Sequence, residues 1–167
     1  MDLDELKKEM PDIFEKVKRD VEKTIYRHRA GLSLGLVEMG ISGRDFIGGM
    51  FFSGGTMILM NSTALRVLLT KKEINDEIIL AYVYHILLHE YIHSLGFLDE
   101  RQCRDYTNYV TEEVISEAAH PARVMAARGI GAYFPEIMYA PPDYQMQKYL
   151  KIERVENFDK SSTTYYS

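Results

Sequence analysis

Apolar residues recur at three- and four-residue steps through two long stretches of this chain, and alternate through a shorter stretch between them. Ile13, Phe14, Val17, Val21 and Ile25 predict an amphipathic helix over 12–29, with Pro11 in its first turn and Gly31 beyond its end. Leu32, Leu34 and Leu36 alternate and predict a half-buried strand. Residues 46–52 and 56–60 read as strands flanking Ser53-Gly54-Gly55, a hairpin turn. Asn61-Ser62-Thr63 then offers caps for a short helix over 64–69.

The second helical stretch runs through Ile74, Ile78, Ile79, Tyr82, Val83, Ile86 and Leu87 and on to Leu95. Thr70-Lys71-Lys72-Glu73 reads as a capping box at its entry, and Gly96 as a left-handed cap at its exit. Beyond Gly96 the pattern predicts a helix over 111–119 capped by Thr111, and another from Pro121 to near Gly129. An irregular segment bracketed by Pro135, Pro141 and Pro142 follows, then a helix over 144–154 and a flexible tail over 157–167. The order implies one α+β domain. A small sheet of three to four strands, with an edge hairpin, is backed by two helices before residue 96, and the rest is mainly helical.

A chain of 167 residues with 46% hydrophobic content can bury one core and is short for two. The net charge of -5, with lysines and arginines scattered along the sequence, argues against a nucleic-acid surface. No apolar run reaches the roughly 18 residues of a membrane span, and the acidic start Met1-Asp2-Leu3-Asp4-Glu5 is unlike a signal peptide. Cys103 stands alone, so no internal disulfide is available, which fits a reducing cytoplasm. It also leaves any metal to be held by histidines and carboxylates, with Cys103 more simply read as a buried thiol.

Within the second helix lies His89-Glu90-Tyr91-Ile92-His93. Residues four apart share a helix face, so His89 and His93 can present two imidazole nitrogens to one ion. Glu90 falls about 100° further round, within reach of a water on that ion. Nitrogen ligands, an open position and a base are the parts of a hydrolytic zinc site. Two buried core histidines would be the plainer alternative, but Glu90 beside them would then be costly to bury. His85, one turn earlier, points along a line with the other two and reads as a cleft-lining residue. A third ligand is required. If the chain reverses at Gly96, Asp99 can swing back toward the metal.

His89-Glu90-x-x-His93-x-x-Gly96-x-x-Asp99 resembles the zincin metalloproteases, and most of all their metzincin branch. Ile137-Met138-Tyr139-Ala140-Pro141 looks like that branch's methionine turn. The resemblance implies a zincin-like fold, with residues 1–96 as an upper subdomain and 97–156 as a lower one. It implies a zinc ion held by His89, His93 and Asp99, with Glu90 as general base. Met138 would floor the site, and Tyr139 would bond a developing oxyanion. The glutamate-ligand branch of the same superfamily is similar too, with Glu117 as third ligand; His120 and Glu100 complete the alternatives. The implied activity is a zinc metalloendopeptidase acting on peptide or protein substrates, which an edge strand near 46–52 could bind by pairing, aided by Gly48 and Gly49. A latent or non-proteolytic binding module with the same fold is the second expectation.

Overall fold

The structure is a computed structural model that describes residues 1–41, 43–141, 144 and 150–160. It opens with α1, Leu3–Ile25, nine residues earlier than the apolar pattern suggested. Asp2 caps it by accepting from the Glu5 amide, and Leu6 and Met10 extend the buried stripe of Phe14, Val17 and Val21 backward. Pro11 therefore sits inside the helix, where its ring removes one i→i−4 bond. Tyr26, in the left-handed region at φ 58°, ends the helix before Gly31 is reached.

Four strands form the main sheet: β1 (Ser33–Val37), β3 (Gly49–Phe51), β4 (Met57–Asn61) and β6 (Ile152–Arg154), in the order β3-β4-β1-β6. The 53–55 hairpin joins β3 to β4 as expected, whereas β1 pairs in parallel with β4. β1 is not half-buried: as an interior strand it is closed in from Leu34 to Val37. β6 falls where a helix over 144–154 was expected, and it returns antiparallel to β1. The 145–149 part of that expectation and residues 161–167 of the tail expected over 157–167 lie outside the described residues; within 157–160, Phe158 and Asp159 are buried. Phe46 and Ile47 form a separate short strand, β2, paired with β5 (Ile137–Met138).

Among the helices, α2 spans Ser62–Thr70 under an Asn61 cap. α3 spans Asp76–Ser94, and Asn75 rather than Thr70 caps it. Its side chains from Ala81 to Ser94 are buried on every face, since the sheet covers one side and α1, α4 and α5 the others. α4, Glu100–Val114, replaces the helix expected over 111–119; Thr111 lies inside it and 115–119 is loop. α5 is Pro121–Arg128, with Gly129 at its end.

The core sits between α3, α1 and the sheet. Phe14 of α1 packs edge-on against Tyr91 of α3 and stacks on Phe158, ring centroids 5.5 and 4.0 Å away. Such pairs add about 0.5–1.5 kcal/mol each beyond burial. Phe158 is held by its neighbour: the Asp159 carboxylate accepts from Lys18 of α1 at 2.6 Å and from the Leu32 amide at 3.2 Å. Both charges are buried and paired. No helix among the described residues is long and apolar enough to cross a membrane.

Candidate metal centre

Each residue of the site is placed by the way α3 ends and α4 begins. Leu95 caps α3 and Gly96 follows at φ 106°, a conformation that favours glycine. The turn brings the Phe97 carbonyl back over the helix, where it accepts from His93 Nδ1 at 2.7 Å. Asp99 then opens α4 as its N-cap, its side chain exposed and accepting from the Gln102 amide. With Asp99 committed to the helix terminus, the next residue, Glu100, faces the histidines. Its Oε1 lies 2.5 Å from His89 Nε2 and its Oε2 3.2 Å from His93 Nε2.

The structure thus brings His89, His93 and Glu100 together and leaves Asp99 out of the cluster. Glu117 is exposed on the loop after α4 and lines a separate recess of about 630 Å³ between α1, α3 and that loop. That recess is larger than the cleft at the histidines but contains none of the paired imidazoles, so size is no guide here. His120 caps α5, its Nδ1 accepting from the Ala122 amide. Cys103 reaches the cluster, and its thiol lies within 4.8 Å of ligand atoms of both histidines. It donates to the His89 carbonyl at 3.1 Å, and burial pushes its thiol well above the usual value.

The donor set fits a cation. Because the Phe97 carbonyl can only accept, His93 carries a proton on Nδ1. A neutral His93 therefore aims a lone pair at a Glu100 oxygen, which is also an acceptor. Something positive must lie between them, a proton or a metal ion. Two ligands on one tetrahedral zinc stand roughly 3.3 Å apart, given bonds of ~2.0 Å, and the His93–Glu100 spacing is 3.2 Å. The His89–Glu100 contact is a hydrogen bond and must open by several tenths of an ångström to admit an ion. Burial raises the Glu100 carboxyl, but its bonds to both histidines outweigh this and hold it at about 2. Burial likewise lowers His93, but its bond to Glu100, the Glu90 charge and its bond to the Phe97 carbonyl together leave it raised. The carboxylate is ionised, as a ligand must be.

Glu90 stands beside the set. It is 4% exposed, lines the cleft and accepts no hydrogen bond from the described residues. Burial raises its carboxyl, the two histidines pull it down and Glu100 pushes it up; the net is upward. Met138 lies in β5, and the next residue, Tyr139, is the one that reaches the histidines. Its ring stacks on His89 with centroids 4.3 Å apart, and its hydroxyl shares a 2.6 Å hydrogen bond with His85 Nε2. His85 is thus the partner of Tyr139, and the hydroxyl is already engaged. Burial, then His89, lowers His85 to about 3, so it is neutral.

The cleft holds about 300 Å³, walled by Met50, Phe51 and Phe52 on one side and by Leu98, Tyr139 and Pro141 on the other. Gly48 and Gly49 let β3 lie close on α3: a Cβ on Gly49 would come 2.8 Å from Ile86 Cγ2 and 2.9 Å from the Leu59 carbonyl. The close approach they serve is internal. Arg29 ties the same two elements together, donating to the Gly55 carbonyl of the hairpin at 2.9 Å and to the Ser94 carbonyl of α3 at 2.7 Å. Comparisons with family models, with curated proteins and with solved structures give no match.

Proposed function

We propose that this chain is a zinc-dependent peptidase in which His89, His93 and Glu100 hold the metal and Glu90 is the general base. The observation that carries the reading is the Glu100 carboxylate set against both imidazoles beside an unengaged, buried Glu90. When bound, zinc supplies Lewis-acid polarisation of the scissile carbonyl. Glu90 takes the proton of the attacking water and delivers it to the leaving amine, a task favoured by its raised proton affinity. Among the described residues β3 is an edge strand along the cleft, so its free backbone groups can pair with an extended peptide, and Met50 and Phe51 border that peptide's path. Glu90→Gln tests the assignment. Hydrolysis of a peptide library should fall by about 10²–10⁴-fold while metal content, read by elemental mass spectrometry, stays at wild-type level. Undiminished hydrolysis in the variant defeats the mechanism.

A further inference from the structure

Lysines and arginines are scattered in the sequence, yet the fold gathers three of them. Arg101 and Arg104 from the first turns of α4 meet Arg128 from the end of α5 around a recess of about 300 Å³. Gly129 and Asn108 complete its wall, and Tyr139 separates it from the metal cleft, since that ring borders both. Among the described residues none of the three guanidinium groups has a carboxylate within 4.0 Å. Asp105 is the only acidic residue lining the recess. Arg104 lies 5.8 Å from the Tyr139 ring centroid. On a chain of net charge -5, three guanidinium groups against one carboxylate around a single concavity are a local reversal of sign.

We propose that this recess binds an oxyanion, and that its natural occupant is a carboxylate on the peptide whose backbone lies in the metal cleft. Guanidinium groups suit that group because their planar N–H pairs match two carboxylate oxygens. The peptide as carrier rests on the peptidase reading above; the anion site itself does not. An acidic side chain or a free C-terminus reaching past Tyr139 would fix where the chain lies relative to Glu90, making acidity near the cleaved bond a selection rule.

The test is direct binding to the full chain, read by NMR of the arginine side chains. The probes are a capped alanyl-glutamyl peptide, its glutaminyl counterpart and inorganic phosphate. The glutamyl peptide should shift the arginine signals and bind about tenfold more tightly than the glutaminyl one, an advantage largely lost in Arg104→Gln/Arg128→Gln and weakened by salt. Equal binding of the two peptides, or an advantage that survives the double substitution, overturns the proposal. A response to phosphate alone overturns the peptide occupant and assigns the recess to free phosphate. Because binding is read without hydrolysis, the two readings fail separately. Glutamate-selective binding in a chain that cleaves nothing sinks the peptidase and leaves this site. Cleavage without charge selectivity sinks this site alone.

Discussion

Tyr139 lies nearly flat on His89, the ring planes 20° apart, so the tyrosine fixes the orientation of one imidazole of the His89–His93 pair. Among the described residues His89 Nδ1 is buried without a hydrogen-bond partner, so on the proposed reading this stack orients the imidazole where a zinc-bound histidine usually has a hydrogen bond. Tyr139→Ala should weaken zinc binding by roughly 10–100-fold, measured by chelator competition. Tyr139→Phe keeps the stack and gives up only the bond to His85, so its loss should be the smaller of the two.

Neighbouring carboxylates divide two tasks between them. Glu100→Gln should abolish stoichiometric zinc binding. Asp99→Ala should keep the metal but lower stability by about 1 kcal/mol, the usual cost of an N-cap. Cys103→Ala should also keep the metal. Elemental analysis and urea unfolding of the three variants check these expectations; a metal-free Asp99→Ala beside a zinc-loaded Glu100→Gln would reverse the assignment.

Arg29 bridges the hairpin to the end of the helix that carries the histidines. Its loss in Arg29→Ala removes two charge-assisted bonds and should cost about 1–3 kcal/mol in unfolding free energy. If the cleft widens as expected, KM for an extended peptide rises more than kcat changes. Lysine cannot span both carbonyls, so Arg29→Lys should recover only part of the loss.

Acid should loosen the β2–β5 pair next to the cleft. Burial raises the Glu136 carboxyl, but the Lys71 ammonium bonded to it outweighs this, and the folded-state value lies below the usual one. A lowered carboxyl contributes stability that is complete above its unfolded value and is lost as pH falls through the folded one. Melting temperatures of wild type and Glu136→Gln should therefore differ near neutrality and converge on the acid side.

The hairpin, α3 and its histidines were legible because each follows a short period or a turn residue with one reading. The carboxylate that faces the histidines, Glu100, was only one of several alternatives, and α4 is the reason. Its buried face includes Thr107 and Thr111, which look like surface residues. Their hydroxyls donate to the carbonyls four residues back, at 2.8 and 2.7 Å, so they pack as apolar groups do. With that face hidden, the helix start at Glu100 was invisible and Asp99 read as a free loop carboxylate. β6 and the arginine recess depend on residues far apart in sequence, which local patterns do not encode.

The Lys18–Asp159 pair has a consequence for how the protein is made. Lys18 and its helix neighbour Glu15 pair within α1, whereas Asp159, a second carboxylate on the same ammonium, comes 141 residues later. Seating α1 before then would leave the buried ammonium without one of its carboxylates and the Leu32 amide without its Asp159 acceptor. The Phe14 side of α3 therefore gains its Phe158 cover only once that residue is made, and a nascent chain stalled short of Asp159 should lack a finished histidine cleft.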